Sequence, residues 1–261
     1  MIRTRAVLLG VPFPAALIAL WHVAVTQGWM TIIPLPGDVA KESWDFAFGG
    51  IYDSAQSGTL LTNLWASSSR VLMGFGLAAM VAVPLGVLMG RSQRLEAMVG
   101  PTINLLRPVP VTAWVPLVLI VFGLGGRSTI ILVFIAALYP ILLNTIDGVR
   151  GVPTRLIEAG QMLGTSSARM LTRIVLPAAL PSILTGMRVA LGFAWVVVVV
   201  GETTGVPTGL GSVITEAREV SNTGLIIAGM AAIGLAGYAT DRLISQVARI
   251  ACGKRPLTPT R

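Results

Sequence analysis

Apolar residues gather in six segments along the chain, separated by shorter polar stretches. Most of these segments approach or exceed the roughly 20 residues that a helix needs to cross a bilayer. The six segments cover residues 1–27, 71–90, 95–125, 128–146, 183–201 and 224–238. The pattern predicts an all-α fold class: a polytopic membrane protein with six transmembrane helices, in one transmembrane domain that covers residues 1–261.

Composition supports a membrane protein. The 261 residues are 54% hydrophobic and only 11% charged, whereas about a quarter of the residues in a soluble domain are charged. The first apolar segment could also be a cleavable signal peptide. It is longer than the usual apolar core of a signal and has no clear small-x-small cleavage site, which favours a retained first helix.

The basic residues are distributed unequally between the two sides of the predicted bundle. Lys41, Arg70, Arg127 and Arg218 fall on one side, Arg107 lies within a segment, and the other basic residues fall on the opposite side. The positive-inside rule assigns the more basic side to the cytoplasmic face of the cell inner membrane, and both termini lie on that face. The formal net charge of +8 therefore indicates topology and contact with anionic membrane lipid, and not nucleic-acid binding.

The residues between the first two segments, 28–63, are predicted to lie outside the cytoplasm. Asp38 is suited to cap a short helix there. At helical spacing Asp38, Glu42 and Asp45 share one face, and Trp44 and Phe48 share another. Two interpretations stay open: a helix that lies along the membrane surface, or an ordinary solvated loop.

The third apolar segment is interrupted by prolines. Pro108, Pro110 and Pro116 break it, with Arg107 and Trp114 between them. Broken backbone at membrane depth is tolerated only where protein buries it or where it lines a watery cavity. The segment therefore predicts a broken helix close to a passage.

The polar, basic stretch 150–181 predicts two short helices joined by a glycine. Pro153 suits the first turn of a helix that continues to Leu163, and Gly164 suits the position just past its end, where a positive φ is favoured. Thr165 or Ser166 would cap a second helix. Leu176 and Pro177 are expected to end that helix, because proline disrupts continued helical hydrogen bonding.

This stretch resembles the EAA loop of the membrane subunits of ABC importers. The matching residues are Glu158, Ala159, Gly164, Ile174, Leu176 and Pro177. Gly160 stands where the family usually has a second alanine, which is expected to loosen the first helix by about 1 kcal/mol. The resemblance identifies residues 150–181 as a cytoplasmic loop that couples the permease to its ATPase.

Two further runs extend the resemblance to the nitrate, sulfonate and taurine group of ABC importer permeases. They are residues 105–125, which contain Arg107, Pro108, Pro110 and Trp114, and residues 192–203, which contain Trp195 and Glu202. The resemblance implies a type I ABC importer permease fold, a homodimer about a two-fold axis, two separate ATP-binding cassette subunits and an extracytoplasmic substrate-binding protein. Arg107, Pro108, Pro110, Trp114 and Glu202 are predicted to belong to the translocation pathway.

Two of these residues carry alternative interpretations. Arg107 either bonds the backbone carbonyls that Pro108 and Pro110 leave free, or lines a cavity at the two-fold axis and attracts a passing anion. Glu202 is either a solvated acid at the outer interface, or part of an outer gate or a seat for a basic group on the binding protein. In the coupling loop, Glu158 and Gly164 are expected to transmit movement, with Leu156, Ile157 and Leu163 entering a groove of the ATPase.

Enzymatic chemistry has little support in the sequence. His22 and Cys252 are the single histidine and cysteine, and no span carries paired carboxylates, so neither a nucleophile with its base nor a metal site can be assembled. Lys41 and Lys254 are the two lysines and neither closes a phosphate-binding loop. No cofactor is expected, and ATP hydrolysis is expected on a separate subunit. A secondary transporter remains the alternative, although no internal repeat is visible.

Overall fold

The computed structural model describes residues 12–252, and throughout this range the chain forms helices and their connections without a β-strand. The helices are α1 (Pro12–Thr26), α2 (Pro36–Phe48), α3 (Leu60–Arg91), α4 (Gln93–Leu106), α5 (Val111–Phe122), α6 (Gly126–Arg150), α7 (Thr154–Met162), α8 (Ser167–Met170), α9 (Leu176–Glu202), α10 (Leu210–Glu219) and α11 (Thr223–Cys252). The predicted all-α fold class is confirmed.

Four helical stretches in the described range are long and apolar enough to cross a membrane: Leu60–Arg91, Gly126–Arg150, Ser167–Glu202 and Thr223–Ile250. Helices α4 and α5 form a fifth candidate span, bent by 97° between them. This bend confirms the predicted break at Pro108 and Pro110, whereas the break predicted at Pro116 is wrong, because Pro116 lies inside α5. Helix α1 is apolar but has only 15 residues here, and the beginning of the predicted first span, residues 1–11, lies outside the described residues.

Close helix packing in the centre depends on glycines. A Cβ on Gly74 of α3 would lie 2.7 Å from the Ile130 carbonyl oxygen of α6, and one on Gly86 would lie 2.7 Å from Thr145 Cβ. Helix α9 approaches α6 in the same way at Gly186, where a Cβ would lie 2.6 Å from Asn144 Cβ. Small residues let helix backbones approach in lipid, where no hydrophobic drive favours association. Helices α3, α6 and α9 thus form the central bundle.

The segment 28–63 contains the helix that the sequence offered as one of two possibilities. Helix α2 begins at Pro36, so Asp38 lies in its first turn and does not cap it. Asp45 is buried and accepts hydrogen bonds from Ser57 Oγ at 2.5 Å and from the backbone N–H groups of Tyr52 and Ile51. These bonds, that of Ser57 foremost, lower the pKa of Asp45 below its ordinary value. Asp45 therefore organises the loop that connects α2 to α3.

The predicted helix end at Leu176 and Pro177 is wrong. A π-helical turn, Leu171–Val175, joins α8 to α9, and Ser167–Glu202 forms one helical stretch. The Leu176 N–H donates to the Leu171 carbonyl, five residues back. Such a turn shifts the hydrogen-bond register by one residue. Pro177 lies in the first turn of α9 directly after it, and a first turn is where a helix tolerates a residue without an N–H.

Candidate coupling segment and transport pathway

The two short helices of residues 150–181, called here the coupling segment, meet at a glycine elbow. Gly164 has a φ of +68°, as its predicted position requires. Its N–H donates to the Gln161 carbonyl at 2.9 Å, and the Thr165 N–H donates to the Gly160 carbonyl at 3.0 Å. These two bonds form a Schellman motif, which satisfies carbonyls at the end of α7 and fixes the direction of the chain that follows.

Gly160, the departure from the family pattern, is a packing contact between the two short helices. It is buried, and a Cβ there would lie 2.7 Å from Ile174 Cδ1 and 2.8 Å from Met170 Cε. The side chains of Ile174 and Met170 therefore occupy the space that an alanine methyl group would need. This contact packs α7 against the helix beyond the elbow. Gly160 therefore lowers the helix propensity of α7 but allows the two helices to pack closely.

An apolar and acidic surface of the coupling segment faces away from the bundle. Glu158 and Ala159 are exposed, and so are Met162 (87%) and Leu163 (84%). Leu156 is 47% exposed. Large apolar side chains at this exposure are typical of a surface that another protein covers.

One residue of the predicted apolar face points elsewhere. Ile157 is half-buried and packs against a core cluster that contains Val87, Val149 and Val152. At helical spacing Leu156 lies within about 20° of Leu163 around the helix, whereas Ile157 lies about 120° away and points towards the bundle. Met162 is the apolar neighbour of Leu163 on the exposed surface, while Ile157 anchors α7 to the bundle.

The prolines of the third segment turn the chain at Arg107. Pro108 and Pro110 are both exposed, and Pro110 directly precedes α5 with an extended backbone. Neither residue can donate a backbone hydrogen bond, and two such residues within three positions interrupt the helix here. Trp114 lies half-buried in the first turn of α5 and packs beside a cluster of Val118, Leu132, Ala136 and Val197.

Arg107 borders a cavity of about 520 Å³ between this bend, α6 and α9. The other lining residues are Tyr139, Pro140, Leu143, Asn144, Asp147, Val189 and Phe193. Asn144 donates its amide to the Pro140 carbonyl at 2.8 Å, so its carbonyl oxygen remains available. Within residues 12–252 the Arg107 guanidinium makes no hydrogen bond to a backbone carbonyl, so the structural alternative for this residue gains no support.

Glu202 is the last residue of α9, at the end away from the coupling segment. It is 1% exposed, so the interpretation as a solvated acid is wrong. Its two carboxylate oxygens accept from Ser67 Oγ at 2.8 Å, from Arg70 at 2.6 Å and from the Gly211 N–H at 2.9 Å. A Cβ on Gly209 would collide with the Glu202 carboxylate. The carboxylate is therefore enclosed between α3 and the loop that follows α9.

Helix α3 also binds the loop after α9 through further hydrogen bonds. Arg70 donates to the Thr208 carbonyl at 2.6 Å, Ser67 Oγ accepts from the Leu210 N–H at 2.8 Å, and Asn63 accepts from the Gly209 N–H at 2.8 Å. We call Asn63, Ser67, Arg70 and Glu202 the outer clasp. The first three lie four and three residues apart on one face of α3. In the sequence, this polar stripe on an apolar helix is the one signal for these contacts. The stripe does not show that Glu202 is the partner.

Comparison with known proteins places these features in a family. Residues 82–248 match the family "Binding-protein-dependent transport system inner membrane component". An ABC transporter permease protein of Methanocaldococcus jannaschii is 41% identical over 92% of this chain and 90% of its own length. The taurine transport system permease protein of Escherichia coli is 34% identical, over 90% of this chain and 85% of its own length. The nitrate import permease protein of Synechocystis is 30% identical, over 88% and 84%.

A solved structure of the methionine ABC transporter MetNI, in inward-facing conformations, shares the fold. It superposes with a TM-score of 0.63 at 18% identity, over 74% of this chain and 95% of the solved chain. The predicted resemblance to the nitrate, sulfonate and taurine group is confirmed by the relatives. The chain belongs to the family of binding-protein-dependent transport system inner membrane components, the permease subunits of ABC importers.

Proposed function

We propose that this permease moves a small anionic solute of the nitrate, sulfonate or taurine type into the cytoplasm, driven by separate ATPase subunits. The observation that carries the proposal is the construction of the coupling segment. Its elbow is fixed by a Schellman motif, and its second helix continues through the π-helical turn into α9. A force applied at α7 would therefore reach the membrane bundle through a rigid element.

The exposed surface of the coupling segment is the proposed docking site for the ATP-binding cassette subunit. Leu163, Met162 and Leu156 offer apolar anchors, and Glu158 lies beside them as an acidic group. A short amphipathic helix that enters a groove on its partner is a common mode of recognition. Glu158, Ala159, Gly160, Gly164, Ile174, Leu176 and Pro177 remain the proposed coupling residues.

Arg107 gives the cavity beside it a positive charge that a passing anion would meet. The cavity lies between α6 and α9, close to the end of α6 that carries Arg150. Electrostatic attraction is stronger in a passage with low-dielectric walls than in bulk water. Asp147 lies in the same cavity and weakens the attraction, so the two charges together would set how tightly an anion is held.

The charge distribution supports a cytoplasmic location for the coupling segment. Arg150, Arg155, Arg169 and Arg173 all lie on it, whereas Lys41, Arg127 and Arg218 lie towards the other end of the bundle. The positive-inside rule then places both termini in the cytoplasm and residues 28–63 outside, within one transmembrane domain. The extracytoplasmic binding protein would dock on the outer side, and two copies of the permease would form the passage.

The outer clasp suits alternating access in this arrangement. At the proposed outer end it ties α3 to the loop after α9, while the Arg107 cavity lies nearer the proposed cytoplasmic end. This combination is what an inward-facing state requires. Opening of the outer end would then require release of the bonds that Glu202 accepts.

Uptake into proteoliposomes tests the proposal against the secondary transporter. The permease is reconstituted with its ATPase subunits and binding protein, and uptake of labelled nitrate, taurine and an alkyl sulfonate is measured. We expect uptake only with ATP inside and binding protein outside, for at least one of these solutes. Uptake that follows an imposed ion gradient and ignores ATP would contradict the proposal. Binding-protein affinity for each solute then identifies the substrate.

A further inference from the structure

A narrow apolar groove runs between α9 and α11 and is distinct from the Arg107 cavity. It encloses about 530 Å³. Its walls are mainly aliphatic and aromatic and include Leu191, Trp195, Val199 and Ile233. None of these residues belongs to the coupling segment or to the outer clasp, so the proposed transport function leaves the groove without a role.

Two glycines create the open space. At Gly192 of α9 and at Gly234 of α11, no neighbouring atom lies within 4 Å of the position that a Cβ would occupy. The floor between them is fixed, because Trp195 is buried and its indole N–H donates to Thr240 Oγ1 at 2.9 Å. The groove is therefore a shaped depression with a firm floor, and not a gap between loosely packed helices.

Its dimensions match one hydrocarbon chain in one leaflet. From Arg188 to Val199, which both line the groove, α9 rises by about 16 Å, roughly half of the 30 Å hydrocarbon core. The volume divided by this length gives a mean cross-section of about 32 Å², which is smaller than the cross-section of a whole helix about 10–12 Å across. One extended acyl chain fits this cross-section and can lie inside the groove, whereas a helix of a second permease could contact it only through single side chains.

The groove ends in charged residues at the proposed cytoplasmic end of α11. Arg188 and Asp241 form two hydrogen bonds of 2.9 and 3.0 Å, so their charges are mutually satisfied. The guanidinium of Arg242 lies 4.9 Å from the ring centroid of Tyr238, which also lines the groove. This position leaves the edge of the guanidinium available as a donor, and the three charges sum to +1.

We propose that this groove binds one anionic phospholipid of the cytoplasmic leaflet. An acyl chain occupies the space between Gly192 and Gly234, and the lipid phosphate bonds Arg242. The assignment of the leaflet rests on the orientation given under the proposed function, but the binding site itself does not. Because α9 continues into the coupling segment, a lipid wedged between α9 and α11 supports the helix that transmits the proposed movement.

Native mass spectrometry of the purified full-length protein, with phosphatidylglycerol or phosphatidylcholine added, tests the site. We expect one phosphatidylglycerol to stay bound per chain, held more tightly than phosphatidylcholine. Gly234→Leu fills the groove and should weaken this binding at least about tenfold, because several methylenes lose their burial. Arg242→Gln should keep binding but reduce the preference for phosphatidylglycerol about fivefold.

Gly76→Leu is the matched control, since Gly76 on α3 also has no atom within 4 Å of the position that a Cβ would occupy but lies outside the groove. It should bind lipid as the unaltered protein does. Gly192→Leu fills the groove from the opposite wall and serves as a second variant if Gly234→Leu does not fold. Unchanged lipid binding in both filled variants would overturn the proposal. So would a loss of dimer without a loss of lipid, because the groove would then be covered by a second copy.

Discussion

Replacing Glu202 with glutamine tests the energetic role of the outer clasp. The substitution keeps the shape of the side chain and removes its charge. Each carboxylate oxygen accepts from a strong donor, one from Arg70 and the other from the Gly211 N–H. An amide NH₂ in either orientation therefore places a donor against a donor, and it leaves Arg70 without its counter-charge.

The magnitude follows from burial. The side chains of Arg70 and Glu202 are 12% and 0% exposed, and breaking a buried pair of this kind costs about 3–5 kcal/mol. Arg188 and Asp241 provide the matched comparison, because they form an equally direct pair whose side chains are 41% and 38% exposed. Asp241→Asn should cost only about 0–1 kcal/mol.

The assay is reversible unfolding of the purified permease in mixed micelles, followed by circular dichroism. We expect Glu202→Gln to lose at least about 2 kcal/mol more unfolding free energy than Asp241→Asn. Ser67→Ala provides a smaller step, because it removes one neutral hydroxyl from the same cluster. Equal losses in the Glu202 and Asp241 variants would refute the reasoning that the clasp is a buried, mutually satisfied network.

The remaining predictions concern the Arg107 cavity, the coupling segment and the loop between α2 and α3. Arg107→Gln should lower uptake of an anionic solute and spare assembly, whereas Asp147→Asn should strengthen anion retention; both are measured by uptake and by size-exclusion chromatography. Gly160→Ala should change unfolding free energy by less than about 1 kcal/mol, because the helix propensity gained offsets a displacement of flexible side-chain ends. Because its hydrogen bonds lower the pKa of Asp45, the Asp45 carboxylate should stabilise the loop between α2 and α3 at pH values above the unfolded-state pKa. This stabilisation should be lost as the pH falls through the folded-state pKa. The hydrogen-exchange protection of residues 49–58, relative to the intrinsic exchange rate at each pH, should therefore fall in acid, and Asp45→Asn should remove that dependence.

Local chemistry predicted well those features that depend on neighbouring residues. The positive φ of Gly164 and the break at Pro108 and Pro110 are confirmed. Each follows from a constraint within a few residues: a missing Cβ or a missing N–H. The family pattern is likewise carried by residues in one stretch, so the sequence could identify it.

Features that depend on residues far apart in the chain were harder to predict from the sequence. Glu202 and Arg70 are 132 residues apart, and nothing local indicates that they meet, so the sequence left Glu202 between a solvated acid and an outer gate or docking seat. Pro177 was expected to end a helix, because the rule for proline assumes an α-helical register and does not include a π-helical turn. Ile157 was assigned to the wrong face because an isolated helix does not show which side the bundle covers.

The most direct test of the central claim is the effect of Gly164→Val on ATP-driven uptake, with Gly28→Val as the control. Both glycines have a positive φ, +68° and +73°, and neither has an atom within 4 Å of a Cβ position, so the local strain is the same. A left-handed backbone costs a residue with a side chain about 1–2 kcal/mol, enough to depopulate the coupled elbow about tenfold. We predict that Gly164→Val loses uptake and ATPase stimulation while the complex stays assembled, and that Gly28→Val retains both. Normal uptake in Gly164→Val, or an equal loss in both variants, would contradict the account.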